Sequence, residues 1–147
     1  MENRGFTIIE LLVVIAIIAV LAGIVLVGVS SYIKRAKEAA IKANMATMLV
    51  NSANYFEAHS NYNDFFDDPF FTVPMNEVQS ITGVDMLYFY SSGDTKTSFC
   101  ACSPMMGSQT GPVGTYCIDS TGYKKESPYQ GDTCSGRCSY LTGLCSN

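Results

Sequence analysis

Apolar positions are concentrated near the start of the chain, where they form one long uninterrupted run. From Leu11 to Val29 no side chain is charged or strongly polar, and within residues 6–33 the only formally charged side chain is Glu10. A helix rises about 1.5 Å per residue, so a run of this length spans the ~30 Å hydrocarbon core of a bilayer. The pattern therefore predicts a membrane-spanning helix over residues 6–33.

Two other kinds of segment also contain a long apolar run: a buried core helix and a secretory signal. A buried core helix needs cover on every side, and the rest of a 147-residue chain is too small to provide it. A secretory signal has an apolar region of about 7–15 residues that ends at a small-residue cleavage site. Here the run is longer, and Ser30 to Tyr32 lead directly into a basic stretch. A retained membrane helix therefore fits the pattern better than either alternative.

After the apolar run, the hydrophobic positions recur with the 3.6-residue period of an amphipathic helix. The positions on this stripe are Ile41, Met45, Met48, Leu49, Ser52, Tyr55, Phe56 and His59. Neither Gly nor Pro occurs between Gly28 and Pro69, so we predict one continuous helix from about Thr7 to about His59, with residues 34–59 as its amphipathic continuation. We expect the stripe to form core, and His59 to cap the helix dipole or to lie at the surface.

Residues 60–147, which we call the head, predict a small β-rich structure. Residues 60–74 combine five aromatic residues with three Asp and two Pro, which predicts an irregular connector. Strand-like runs follow at Met86–Tyr90, Thr97–Cys102 and Val113–Ile118, separated by Gly- and Ser-containing turn signals. Their close spacing predicts an antiparallel meander. The fold class is accordingly α+β, with a long N-terminal helix whose second half packs against a small antiparallel sheet.

The final third of the chain contains six cysteines. They are Cys100, Cys102, Cys117, Cys134, Cys138 and Cys145. Their segment is rich in small polar residues and buries little, so we expect disulfides to stabilise it. Cys100 and Cys102 are two apart on a predicted strand and share a face, which disfavours a bond between them. The preferred pair joins one of them to Cys117 across neighbouring strands.

The three remaining C-terminal cysteines would then form one bridge among themselves and supply one partner for the other strand cysteine. A four-thiolate zinc site is the alternative use of these residues. Structural zinc sites usually contain Cys-x2-Cys pairs, which this sequence lacks, so we predict no metal site.

Charge and composition narrow the possible functions. The net charge is −4 with only 9 Lys and Arg, whereas nucleic-acid binders present a basic face, so no nucleic-acid partner is predicted. His59 is the single histidine, and the chain shows no phosphate-binding loop and no Ser, His and Asp set, so we predict neither an enzyme nor a cofactor. The charge is also segregated, at +3 over residues 34–56 and −6 over residues 57–147. A solvated acidic face is sufficient to explain this segregation. The alternative is that the two oppositely charged regions complement each other between subunits.

The residues before the apolar run form a specific motif. Residues 4–12 read RGFTIIELL, in which Gly5 precedes the aromatic Phe6 and Glu10 follows four residues later. A carboxylate at the edge of a membrane span is costly and is by default functional. Fused to a span of this length, the motif resembles the class III signal of type IV pilins and pseudopilins, closely over about the first 35 residues and loosely beyond them.

The resemblance implies a processing step and an assembly role. Residues 1–5 would be a leader that prepilin peptidase removes between Gly5 and Phe6 on the cytoplasmic face, after which the new Phe6 amine is N-methylated. When helices of neighbouring subunits bundle, Glu10 of one would neutralise the Phe6 amine of another and so set their register. Many pilins carry a proline within this helix; here Gly23 and Gly28 are the weak points, and any melting should centre there.

The implied function is that of a structural subunit of a type IV pilus-like filament, a fimbrium at the cell surface. The implied partners are further copies in a helical filament, prepilin peptidase and the inner-membrane pilus assembly machinery. A pseudopilin of a type II secretion or DNA-uptake system is the close alternative. A membrane-anchored, disulfide-rich enzyme or binding module is the distant one.

The implied location is a single-pass membrane protein with its head outside before assembly, and an extracellular filament afterwards. Lys34, Arg35, Lys37 and Lys42 follow the span, and the positive-inside count alone would place them in the cytoplasm. Six cysteines favour an oxidising compartment instead, and in the family the body ends up outside although basic residues follow the span.

Overall fold

The computed structural model describes residues 7–91, 95–106, 114–127, 134–139 and 141–146. The elements in chain order are helix α1 (Ile8–His59), a short 3-10 helix (Phe65–Asp67), helix α2 (Pro69–Thr82), strands β1 (Leu87–Tyr90), β2 (Phe99–Pro104), β3 (Thr115–Asp119) and β4 (Lys124–Ser127), helix α3 (Cys134–Arg137), and strands β5 (Cys138–Ser139) and β6 (Leu144–Cys145). The predicted α+β class and the continuous first helix are confirmed. The chain divides into one compact unit that ends at Ala36 and a second unit from Lys37 to Asn147.

In the first unit, α1 presents apolar side chains to its surroundings along its length. The large apolar side chains described here are exposed, from 79% for Ile8 to 41% for Val29. By length and composition this part of the helix can cross a membrane. Apolar surface of this extent is unfavourable in water, so these side chains require lipid or further helices around them.

In the second unit, the last part of α1 supplies one side of an apolar core. Ile41, Met45 and Met48 are fully buried, Ser52 is 1% exposed and Tyr55 is 9% exposed. Residues that extend this core from the other elements include Phe65, Phe71, Val78, Phe99 and Ile118. The prediction that the stripe forms core is confirmed for these positions; Leu49 and Phe56 are half-buried against the core, and His59 is exposed.

Helix α2 corrects the prediction of an irregular connector over residues 60–74. It begins at Pro69 because Asp68 caps it, the Asp68 carboxylate accepting a hydrogen bond from the Phe70 N–H at 2.8 Å. Proline suits the first helical position, where its missing N–H would have no partner in the helix. Asp68 and Pro69 therefore start a helix, although Asp and Pro are also common in loops.

A second proline lies inside α2 without ending it. Pro74 lacks the N–H that would bond the Phe70 carbonyl, one turn earlier. The Asn51 side chain of α1 donates to that carbonyl instead, at 2.7 Å. The helix then continues to Thr82, and Gly83, with φ +68, closes it through a bond from its N–H to the Gln79 carbonyl.

Strands β1 to β4 form one antiparallel sheet in that order, which confirms the predicted meander. Strand β2 begins at Phe99 and ends at Pro104, a shift of two residues from the prediction, and Val113 of the third predicted strand lies outside the described residues. Strand β4 escaped the prediction because its Lys-Lys-Glu-Ser sequence has no apolar alternation. It is an edge strand, where exposed charges discourage pairing with another sheet.

The sheet has buried residues on both faces. Along β2, Phe99 and Ala101 join the apolar core, whereas the alternating Cys100 and Cys102 belong to a separate buried cluster with Cys117 of β3. The C-terminal segment, which contains α3 and the β5–β6 pair, supplies the other cysteines of that cluster. One face of the sheet therefore packs on helices and the other on a crosslinked layer.

Three disulfides connect the sheet to the C-terminal segment. They are Cys100–Cys138, Cys102–Cys134 and Cys117–Cys145. The predicted bond from Cys117 to Cys100 or Cys102 is wrong, as is the predicted bridge among the C-terminal three. Cys102 does stand opposite Cys117 in the strand register. The C-terminal segment nevertheless covers this face and offers a partner to every strand cysteine.

Gly143 lies in close contact with the connection between β1 and β2. Its φ is +62, and a Cβ atom there would lie 2.6 Å from the Ser91 nitrogen and 2.8 Å from the Ser98 carbonyl oxygen. We expect Gly143→Ala to lower the free energy of unfolding of the second unit by about 1–3 kcal/mol beyond the cost of the left-handed backbone, because the two backbone segments must move apart.

Gly83→Ala is the matched control for this prediction. Gly83 has a similar φ of +68 but no atom within 4 Å of an added Cβ, so only the left-handed strain of about 1–2 kcal/mol applies. Denaturant titrations followed by tyrosine fluorescence measure both variants. Equal losses of stability would contradict the prediction.

Candidate functional site

Of the residues that the sequence motif selected, Glu10 lies at the start of α1. Gly5 and Phe6 lie outside the residues that the structure describes, and the description begins at Thr7. Helix α1 begins at Ile8, so Thr7 is its N-cap residue and Glu10 is the third helical residue. The motif glutamate therefore lies in the first turn, where the backbone N–H groups have no partner within the helix.

Thr7 and Glu10 satisfy part of this helix end by reciprocal hydrogen bonds. The Thr7 N–H donates to Glu10 Oε2 at 2.8 Å, and the Glu10 N–H donates to Thr7 Oγ1 at 3.3 Å. The Thr7 hydroxyl also donates to Glu10 Oε2, at 2.8 Å. This arrangement is a capping box. Sequence reasoning gave Glu10 only an intermolecular role and missed this one, although a Thr followed three residues later by Glu is its local signature.

The Glu10 carboxylate keeps capacity for a second partner. The positive end of the helix dipole lies at this terminus, so a negative charge is well placed there. Both bonds from Thr7 use Oε2, and Oε1 has no partner among the residues that the structure describes. The group can therefore hold its own helix end with one oxygen and accept from a cationic donor with the other.

The cysteine cluster is a structural layer in this fold. The Sγ atoms of Cys100, Cys117 and Cys138 lie within 4.8 Å of one another, close enough to suggest a metal site. Every cysteine of the chain is in a disulfide, however, so none provides the thiolate that zinc requires. The proximity of the sulfur atoms follows from neighbouring disulfides on one face of the sheet.

In the described part of the second unit, the displaced pKa values belong to tyrosines and move away from neutrality. Burial raises the pKa of Tyr90 to about 12, although its hydroxyl accepts a hydrogen bond from the Phe66 N–H that opposes this shift. Burial also raises the pKa of Tyr55, Tyr62 and Tyr116. A general acid or base works best with a pKa near the working pH, so these tyrosines suit structural roles.

His59 occupies the last position of α1. Its Nδ1 atom lies 3.0 Å from the Tyr55 carbonyl oxygen, and its ring stacks on the Tyr55 ring with the centroids 4.2 Å apart. His59 is exposed at the end of α1, which agrees with the predicted position at the surface.

This chain is similar to known proteins in two respects. Residues 1–26 match the family model of the prokaryotic N-terminal methylation motif. The type IV major pilin protein PilA of Myxococcus xanthus (strain DK1622) is 35% identical over 67 residues, which cover 46% of this chain and 30% of that protein. The chain therefore covers less than a third of that relative's length. No solved structure matches significantly.

Proposed function

We propose that this chain, which matches the prokaryotic N-terminal methylation motif and is similar to a type IV major pilin, is a structural subunit of a type IV pilus-like surface filament. The observation that carries the proposal is the start of α1, where a methylation motif over residues 1–26 is fused to an exposed apolar helix. Lipid covers such a helix in the monomer, and copies of the same helix cover it in a filament.

The segments of the chain then have separate roles. Residues 1–5 are the leader, residues 6–33 span the membrane and later form the bundle, residues 34–59 continue the helix, and residues 60–147 form the head. The exposed apolar side chains support the role of the second segment. The buried stripe supports the role of the third, because it anchors the core of the second unit.

Glu10 sets the register of the bundle in this proposal. Cleavage before Phe6 creates a cation at a helix N-terminus, where the helix dipole disfavours positive charge. Glu10 of a neighbouring subunit neutralises that amine through Oε1 while Oε2 continues to cap its own helix. Both charges are satisfied only when the helices are in register, and setting register is the best-attested use of a buried charge pair.

Processing, membrane insertion and filament assembly imply the partners of the chain in this proposal. Prepilin peptidase cleaves and methylates the chain, and the inner-membrane assembly machinery moves it from the membrane, where its head lies outside, into the surface filament. No enzymatic activity is proposed for the chain itself. A pseudopilin of a type II secretion or DNA-uptake system has the same N-terminus and is the alternative.

Processing provides a direct test of this proposal. We expect the mature protein to begin at Phe6 with one additional methyl group on its amine, because the peptidase acts after Gly5. Gly5→Leu should leave an uncleaved precursor in the membrane and no filaments, whereas Asn3→Leu changes the leader away from the cleaved bond and should be processed normally. Intact-mass spectrometry of filament protein checks this, and residues 1–5 still attached in filaments would contradict it.

Mechanical shearing of cells separates the function classes. A pilus subunit should be abundant in the sheared fraction and should form fibres visible by electron microscopy. A pseudopilin should be nearly absent from that fraction, although its leader is cleaved in the same way. An anchored enzyme or binding module should remain with the membranes, and that result would overturn the proposed function.

A further inference from the structure

Helix α2 presents two large apolar side chains to solvent near its start. Phe70 is 59% exposed and Val73 is 61% exposed, on the side of the helix away from the buried Phe71. We call Phe70 and Val73 the outer patch.

Acidic side chains border the outer patch. Asp67 and Asp68 directly precede α2, and Glu77 follows Val73 by four residues on the same exposed side. From residue 60 to residue 95 the chain contains no Lys, Arg or His. A partner for this surface should therefore combine apolar side chains with positive charge.

A surface of that kind lies on α1 over residues 32–37, which we call the basic segment. Tyr32 and Ile33 are 72% and 52% exposed, and Arg35 and Lys37 are exposed as well. Tyr32 and Arg35 are three residues apart and Ile33 and Lys37 are four apart, so each apolar side chain shares a helix side with a basic one. Lys42 forms an ion pair with Glu126. Among the described residues, Arg35 and Lys37 have no acidic partner of this kind.

We propose that in the filament the outer patch of one copy binds the basic segment of a second copy. The contact rests on the proposed function, because the filament is what brings copies together. It joins apolar to apolar and acidic to basic surface, and neither surface finds such a partner within the described part of its own chain. The exposed basic pair Lys124 and Lys125 takes no part, because its strand presents charged residues and no large apolar one.

Paired charge reversal tests the contact. Asp67→Lys with Glu77→Lys, and separately Arg35→Glu with Lys37→Glu, should each lower the yield of sheared filament at least about tenfold at unchanged levels of cleaved monomer, because like charges then meet. All four substitutions in one chain should restore the yield to within about threefold of the unmodified chain, since opposite charges meet again. As a control, Lys124→Glu with Lys125→Glu changes the net charge by the same amount as the basic-segment variant. It should not reduce the filament yield. Combined with Asp67→Lys and Glu77→Lys, it should not restore the yield.

Several outcomes would overturn the contact. Assembly of either double variant at the normal yield, a fourfold variant without filaments, or a rescue by the β4 control would each contradict the pairing of surfaces. A photo-crosslinking residue at position 70 gives a second readout, and it should capture a peptide containing residues 32–37 from a second, isotopically labelled copy. Capture of other peptides only would contradict the proposal.

The proposed function fails in a different way. In that case the unmodified chain forms no filaments at all, before any surface is changed. Normal filaments from the unmodified chain, without capture of residues 32–37 by the crosslinker at position 70, overturn the contact alone and leave the proposed function standing.

Discussion

Replacing Glu10 by alanine should abolish filament assembly while membrane insertion and leader cleavage continue. The substitution makes the span more apolar and leaves the bond between Gly5 and Phe6 unchanged. In the filament, the Phe6 amine of each neighbour would enter the helix bundle without a counter-charge, and an unpaired buried charge is strongly destabilising. We expect no fibres by electron microscopy and a normal amount of cleaved monomer in the membrane.

Two further variants separate the proposed intermolecular role of Glu10 from its capping role. Glu10→Gln keeps an oxygen that can accept from the Thr7 N–H but has no charge, whereas Thr7→Ala keeps the charge but lacks the capping hydroxyl. If the charge pair governs assembly, filament yield falls in the order unmodified chain, Thr7→Ala, Glu10→Gln, Glu10→Ala. Normal filaments from Glu10→Ala would show that the residue only caps its own helix.

Removing the disulfide between Cys117 and Cys145 should lower the free energy of unfolding of the second unit by about 3–4 kcal/mol. The bridge closes a loop with a sequence separation of 28 residues, and a crosslink of that span restricts the unfolded chain by about this amount. Both cysteines are replaced by serine, because a single Cys117 thiol would lie 3.2 Å from the Cys100 sulfur and could exchange with its disulfide. The helix up to Ala36 contains no cysteine and should be unaffected.

The measurement uses the full chain in detergent micelles. Denaturant titration followed by tyrosine fluorescence reports the second unit, and far-ultraviolet circular dichroism reports the helix in the same samples. The unmodified chain with a reductant is the reference for the loss of all three bridges and should be less stable than the double variant. An unchanged midpoint in the double variant would contradict a structural role for this bridge.

Local patterns were sufficient to predict the helix and most of the sheet. The first helix has no Gly or Pro between Gly28 and Pro69, and its stripe has a regular period, so its extent and its buried side could be predicted without tertiary information. The strands likewise follow from short apolar runs. The capping box at Thr7 and Glu10 is equally local, because its signature spans four residues.

The features that could not be predicted depend on residues distant in sequence. Helix α2 tolerates Pro74 because Asn51, on another helix, donates to the carbonyl that Pro74 leaves unpaired. Disulfide pairing depended on which segment covers the sheet. The cross-strand geometry of Cys102 and Cys117 is suitable for a neighbouring pair, but the C-terminal segment lies over that face and bonds each strand cysteine itself.

The bridges also limit how far the chain can lengthen when it is pulled. An unfolded stretch extends by at most about 3.3–3.6 Å per residue. Cys100 and Cys138 are 38 residues apart in sequence but covalently joined, so roughly 130 Å of contour length between them cannot be released. A force applied at the end of β6 is transmitted to β2 through the Cys100–Cys138 bond and the few residues between Cys138 and β6. This path stays short even if the residues between Cys100 and Cys138 have unfolded. Under mechanical load, the C-terminal part of the chain therefore acts as a short tether.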